Sequence, residues 1–295
     1  MKIFKTAFLC TFASSLLLSG TARADLLLGN MDAPDDTVSP RAFRIGKPPG
    51  APLAAFGIFR VSFGSPSVPY IFEDVKLRLD RPPGLPPADP YVSLWIDNGT
   101  SGNQLVVRLD EDRELEPGTS TYTFTTDQNI VIQPDTNYFL VVSHLSPNPY
   151  FYGWVWSQPW TDPAGAATFQ NVRKFDRVNL VWQAPIPPRP KFEINGAPDD
   201  DGDGVPNALD ACPNSILTDT VIIDGFDTGI ANPVFPDGCT IADLVEACAD
   251  DAKNHGQFVK CVVSLAKDLV ANGSITEDEK SDLISAAAQS DIGKK

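Results

Sequence analysis

Five oxygen-bearing side chains in one register constrain this chain more than any other feature. In Asp199 to Pro213, DDDGDGVPNALDACP, counting Asp199 as position one puts Asp199, Asp201, Asp203, Asn207 and Asp210 at one, three, five, nine and twelve, with Gly204 at six. A hard cation takes about six to eight oxygen ligands, a glycine permits the sharp turn, and the residue at seven, here Val205, offers its backbone carbonyl. The stretch is therefore expected to fold as a calcium loop, with Asp199, Asp201, Asp203, Val205, Asn207 and Asp210 as ligands and Ca2+ as the ion. Asp210 is shorter than the glutamate usual at twelve, so a water is expected to complete the shell. Aspartate and glycine are also common in solvated linkers, but composition alone does not set five donors in register around a glycine.

Residues 1–24 read as a secretory signal. Lys2 and Lys5 make the start positive, Ala7 to Leu18 is apolar, and Ala22-Arg23-Ala24 is a small-x-small cleavage site, so the mature chain is expected to begin at Asp25. Cys10 would leave with the signal. No later run reaches the roughly 18 apolar residues of a membrane span. Export implies an oxidising compartment, where the remaining Cys212, Cys239, Cys248 and Cys261 are expected to pair as disulfides. All four lie late in the chain, and the charge is equally lopsided. Residues 197–295 carry 19 acids against 6 lysines and no arginine, for a net −13 of the chain's −15. Nucleic acid and anionic membranes are poor partners for such a surface, whereas divalent cations are good ones.

The expected organisation is a β-sandwich domain over 25–196, the calcium loop over 197–215 and a helical module over 216–295. In the first, short apolar or alternating segments such as Phe56 to Phe63, Tyr70 to Leu79, Tyr91 to Ile96, Asn137 to Val142 and Lys191 to Ile194 are separated by turn chemistry. Asp97-Asn98-Gly99, Glu116-Pro117-Gly118 and Gln133-Pro134-Asp135 are examples. This texture predicts a mainly β fold, an antiparallel sandwich of jelly-roll-like form, with its boundary at Asn195 to Pro198.

Tyr150, Tyr152, Trp154 and Trp156 would share one face of a strand. Such a row either fills the sandwich core, as large aromatics more often do, or is displayed to stack ligand rings. No nucleophile or phosphate-binding motif appears. His144 is expected at a surface or edge, and His255 in a helix-ending turn at Asn254-His255-Gly256. No catalytic residue is assigned.

In the last module, Thr240 to Lys253, Phe258 to Val270 and Glu277 to Gln289 have helical periodicity, with Thr240 and Thr276 as N-caps and Asn272-Gly273 as a stop. Cys248 lies seven residues before the turn at His255 and Cys261 six after it. A helical hairpin sets them face to face, which leaves Cys212 for Cys239. Asp268 to Glu279 imitates a second calcium loop, but Val270 supplies no oxygen at position three, and helix capping already explains Asn272, Thr276 and Glu279.

Asp199 to Pro213, D-x-D-x-D-G-x-x-N-x-x-D-x-C-P, resembles a thrombospondin type 3 repeat, which implies calcium binding and a disulfide at Cys212. VKLRLDRPPG, YVSLWIDNGTSGNQLVVRL and STYTFTTDQNIVIQPDTNYFLVVS resemble the bacterial choice-of-anchor R domain. The residues in question are Ser93, Leu94, Asp97, Asn98 and Gly99, then Pro134, Thr136, Tyr138, Phe139, Leu140 and Val141. That likeness implies a secreted or surface-displayed sandwich. CTIADLVEAC, NHGQFVKCVVSLAKDL and ITEDEKSDLI look like a C-terminal module of exported bacterial proteins. The chain is thus expected to be a secreted, non-enzymatic calcium-binding protein of surface, matrix or adhesion type, with calcium and an extracellular protein or glycan as partners. The alternative is a carbohydrate-binding accessory domain or an enzyme acting on extracellular polysaccharide.

Overall fold

The computed structural model describes residues 25–36, 42–46, 57–84, 90–99, 102–144, 151–176, 179, 181–187 and 189–294. The signal-like segment 1–24 and Tyr150 lie outside them. Among the described residues the chain forms fifteen strands and three helices: β1 (Asp25–Gly29), β2 (Ala42–Gly46), β3 (Phe59–Gly64), β4 (Tyr70–Arg81), β5 (Pro90–Ile96), β6 (Gln104–Glu111), β7 (Gly118–Thr125), β8 (Val131–Ile132), β9 (Asn137–His144), β10 (Phe151–Val155), β11 (Thr168–Asp176), β12 (Val181–Trp182), β13 (Phe192–Pro198), β14 (Thr220–Ile223), β15 (Phe226–Ala231), α1 (Ile241–Asp250), α2 (His255–Ala271) and α3 (Glu277–Gln289).

The first thirteen strands form one antiparallel network in the order β1-β13-β4-β7-β6-β5-β9-β3-β11-β12, with β2, β8 and β10 alongside. It folds over on itself as a sandwich. β4 shows why: Val75, Leu77 and Leu79 are fully buried while Lys76, Arg78 and Asp80 between them are half-buried, so one face of the pleat is committed to the core. Val92 and Leu94 of β5, Leu140 and Val142 of β9, and Val61 and Phe63 of β3 supply the opposing layer. The ring of Phe63 stacks on Tyr138 at 5.8 Å.

Two strands of the sandwich escape the sequence pattern. β11, TFQNVRKFD, spaces Phe169, Val172 and Phe175 by three because its register against β3 shifts between Phe169 and Asn171. A bulge of this kind breaks the two-residue period on which strand reading depends. β1 is brief and adjoins the signal-like segment, yet its Leu27 and Leu28 are fully buried against β13. β13 itself continues through Asn195, Gly196, Ala197 and Pro198, which pair with Asp74, Phe72, Ile71 and Tyr70 of β4. The expected boundary at Asn195 to Pro198 is therefore strand, and the acidic loop leaves directly from its end.

The remaining residues build a second core, from Val221, Ile223 and Ile230 of the β14-β15 hairpin and Ile241, Val245, Phe258, Val262, Leu269 and Leu283 of the helices. Capping boxes start α1 (Thr240 with Asp243) and α3 (Thr276 with Glu279). Asn254 does not end a helix. Its backbone is extended at φ −163° and its side chain accepts the Gln257 amide, so it starts α2 at His255. The His255 ring contacts the Ile292 and Ala288 carbonyls. His144, at the end of β9, is buried rather than on the surface. Gly273, at φ +81°, ends α2 in the left-handed conformation. Disulfides join Cys212 to Cys239 and Cys248 to Cys261. Among the described residues, no helix is long and apolar enough to cross a membrane.

Candidate metal centre

Asp199 follows the last paired residue of β13, and its amide donates to the Pro69 carbonyl (3.1 Å), holding the start of the loop against the sandwich. The chain then turns inward on its own aspartates. The amides of Gly202 and Gly204 donate to the two carboxylate oxygens of Asp199 (2.9 and 3.0 Å), that of Asp203 to Asp201 (3.3 Å) and that of Val205 to Asp203 (2.7 Å). Gly202 and Gly204 have φ of +78° and +94°, a region that a side chain at either position would resist.

These turns bring Asp199, Asp201 and Asp203 together, each offering an oxygen within 4.8 Å of the others. Asp199 is fully buried and the other two are half-buried. Burial pushes the Asp199 carboxyl above the usual aspartate range, against the lowering effect of the Gly204 and Gly202 amides, and the charge of Asp201 adds to the rise. Asp203 is raised likewise by burial and by the charges of Asp201, Asp210 and Asp199. Three converging carboxylates, with those of Asp199 and Asp203 raised, could hold a metal ion, whose charge would relieve their repulsion.

The other expected ligands are arranged less directly. The Asn207 side-chain oxygen accepts the Asp200 amide (2.8 Å), and Val205 contributes its own amide to Asp203. Asp210 stands apart from the triad, accepting the Cys212 amide at 2.7 Å. It nevertheless faces Asp203 across Gly238: a Cβ at Gly238 would lie 2.1 Å from Asp210 Oδ1 and 3.0 Å from Asp203 Oδ2. With φ at +85°, only glycine suits that position.

Two participants have no signal in the loop's own spacing. The Ser215 amide donates to Asp201 Oδ2 at 2.7 Å, and its hydroxyl donates towards the Cys212 (2.9 Å) and Gly238 carbonyls. Ser215 and Gly238 reach the cluster because the Cys212–Cys239 bridge and the Ala211 amide to Asp237 carbonyl bond (2.8 Å) fold the next segment back onto it. The second loop candidate, Asp268 to Glu279, is spent otherwise, since the Glu279 carboxylate takes both the amide and the hydroxyl of Thr276.

The ligand-stacking reading fails for Tyr152 and Trp154. Both are fully buried, the phenol bonded to the Ser143 carbonyl (2.6 Å) and the indole to the Lys191 carbonyl (2.9 Å). Their shared strand face is the core face of β10, so these two side chains fill the sandwich. Trp156, just past the strand, is half-buried with its ring edge on Phe43. No protein-family model matches this chain, and a search of curated proteins finds no match.

Proposed function

We propose that this is an exported, non-enzymatic calcium-binding protein of the cell surface or its surroundings, in which calcium fastens the helical module to the β-sandwich. The reading rests chiefly on the convergence of Asp199, Asp201 and Asp203 within 4.8 Å on a loop whose spacing also places Asn207 and Asp210. All these donors are oxygens. That suits a hard cation such as calcium, whereas zinc favours histidine and thiolate, and Cys212 is committed to a disulfide. Asp199, Asp201, Asp203 and Asp210 would hold the ion. Its charge would offset the repulsion among them, and Ser215 and Gly238, from the far side of the seam, would be drawn in with them.

In this reading residues 199–213 form a repeat of the thrombospondin type 3 kind, carried between a choice-of-anchor-like sandwich and a disulfide-braced helical module. Paired cysteines and the signal-like segment support export, and the net −13 of residues 197–295 favours divalent cations over nucleic acid. The partner is an extracellular protein or glycan.

Calorimetric titration of calcium into the chelator-stripped protein tests the proposal. Saturable binding is expected, lost in both Asp201→Ala and Asp203→Ala. At a calcium concentration about a hundredfold above Kd, the ion should add roughly 2.7 kcal/mol to folding stability. No binding by the unmutated protein would reduce the loop to an acidic linker.

A further inference from the structure

Asparagine followed by glycine is the dipeptide in which a backbone nitrogen most readily attacks a side-chain amide, because glycine leaves that nitrogen unhindered and its backbone free to turn. The chain has three such pairs, Asn98-Gly99, Asn195-Gly196 and Asn272-Gly273, and the fold treats them differently. Asn195 is buried within β13, its side-chain amide donating to Asp74 at 2.7 Å, and Gly196 pairs with Phe72 of β4. Asn272 is exposed but caps α2 in helical backbone, with φ −91° and ψ −2°. Its side-chain oxygen accepts the Ser274 amide (3.0 Å), and the Gly273 amide donates to the Val270 carbonyl (3.1 Å). Asn98 is exposed just past the end of β5, and among the described residues no hydrogen bond holds its side chain. The Gly99 amide meets only another side chain, Asp97 Oδ1 at 3.1 Å, so one side-chain rotation frees it. Gly99 has φ +62°, and beyond its chain neighbours no atom stands within 4 Å of where a Cβ would be.

We propose that Asn98 is a site of spontaneous deamidation, a modification that the fold permits there and withholds at Asn195 and Asn272. The Gly99 nitrogen loses its proton and attacks Asn98 Cγ. The Cγ–Nδ2 bond breaks and ammonia leaves, closing a succinimide ring. Water then adds to either ring carbonyl and opens it to aspartate or to isoaspartate, so that amide and water become carboxylate and ammonium. The new carboxylate joins that of Asp97, and the isoaspartate route lengthens the main chain by a methylene between β5 and β6. At Asn272 the ring closes only after the cap leaves its helical backbone and both hydrogen bonds open, and at Asn195 only after β13 parts from β4. The site is independent of the metal loop, so its test stands whether or not calcium binds.

The test is peptide mass spectrometry on the folded full chain held for days at mildly alkaline pH, with electron-transfer fragmentation to separate aspartate from isoaspartate. Asn98 should convert first, and Asn272 about tenfold more slowly because two hydrogen bonds must open. Asn195 should stay intact for as long as near-ultraviolet circular dichroism shows the sandwich folded. In the reduced chain unfolded in guanidinium, the three sites should convert at similar rates, since their dipeptides are identical. Asn98→Gln should abolish the early release of ammonia and leave the rate at Asn272 unchanged. An Asn98 that stays unconverted in the folded chain, or conversion of Asn195 or Asn272 ahead of it, would overturn the proposal. The same lead for Asn98 in the unfolded chain would overturn the role given to the fold.

Discussion

The β-sandwich and the helical module are held together by different means. The sandwich closes a large core between strands far apart in sequence, with Leu28 of β1 beside Ile194 of β13 and Val61 of β3 beside Leu140 of β9, and contains no cysteine. The module has a smaller core of local contacts, reinforced by two disulfides and two capping boxes. Apolar burial rises with size, so a large domain can rely on it alone while a small one needs covalent support. The acidic loop belongs to both, extending β13 at one end and anchored by Cys212–Cys239 at the other. That position would let an ion held there bear on two differently stabilised regions.

If the two cores are separate, damage to one should leave the other's unfolding transition in place. The largest effect of a single substitution should come from Trp154→Ala, which empties a fully buried site in the sandwich and should cost about 3–5 kcal/mol. Followed by near-ultraviolet circular dichroism during urea unfolding, the loss should fall on the sandwich transition, with the helical signal unchanged. A single shared shift would break the comparison.

Reduction of the disulfides should act the other way. Each bridge is expected to contribute about 2–4 kcal/mol to the module. Far-ultraviolet melts with and without reductant should show the helical transition falling while the sandwich holds. Equal shifts in both would mean that the module supports the sandwich.

A smaller effect sharpens the contrast from within the sandwich, where Asp35 joins Lys191 (2.6 Å) and Arg78 (3.0 Å). Burial raises its carboxyl, but the hydrogen bonds and charges of Lys191 and Arg78 prevail and hold it below the ordinary aspartate value. A depressed folded-state pKa stabilises the fold above the unfolded value and loses that contribution as pH falls through the folded one. Asp35→Asn should therefore cost about 1–2 kcal/mol at pH 7, allowing for its partial exposure. Denaturation midpoints compared between variant and parent should converge as the pH drops below the ordinary aspartate range. A gap that stays constant would show the ion pair to be inert.

The helices were legible because their evidence is local. Thr240 and Thr276 sit three residues before an acid, Asn272-Gly273 supplies the stop, and the spacing of Cys248 and Cys261 about a turn implies their pairing. The one error there, Asn254 as an end rather than a start, arose because asparagine and glycine serve both termini and only the extended backbone at Asn254 decides between them. The strands were legible where alternation was kept, as in β4, and hidden where it was not, as in β11 with its bulge.

The acidic loop divides in the same way. Its spacing alone located Asp199, Asp201 and Asp203 around turns that glycine permits, since a ligand rhythm and a turn are both properties of adjacent residues. Spacing could not reveal that Ser215 binds Asp201, that Gly238 leaves room for Asp210 beside Asp203, or that Tyr152 and Trp154 face inward. Those facts depend on which distant segments pack together. The alternation of a strand defines two faces, but only the partner laid against one of them makes it the core, and only the folded chain supplies that partner.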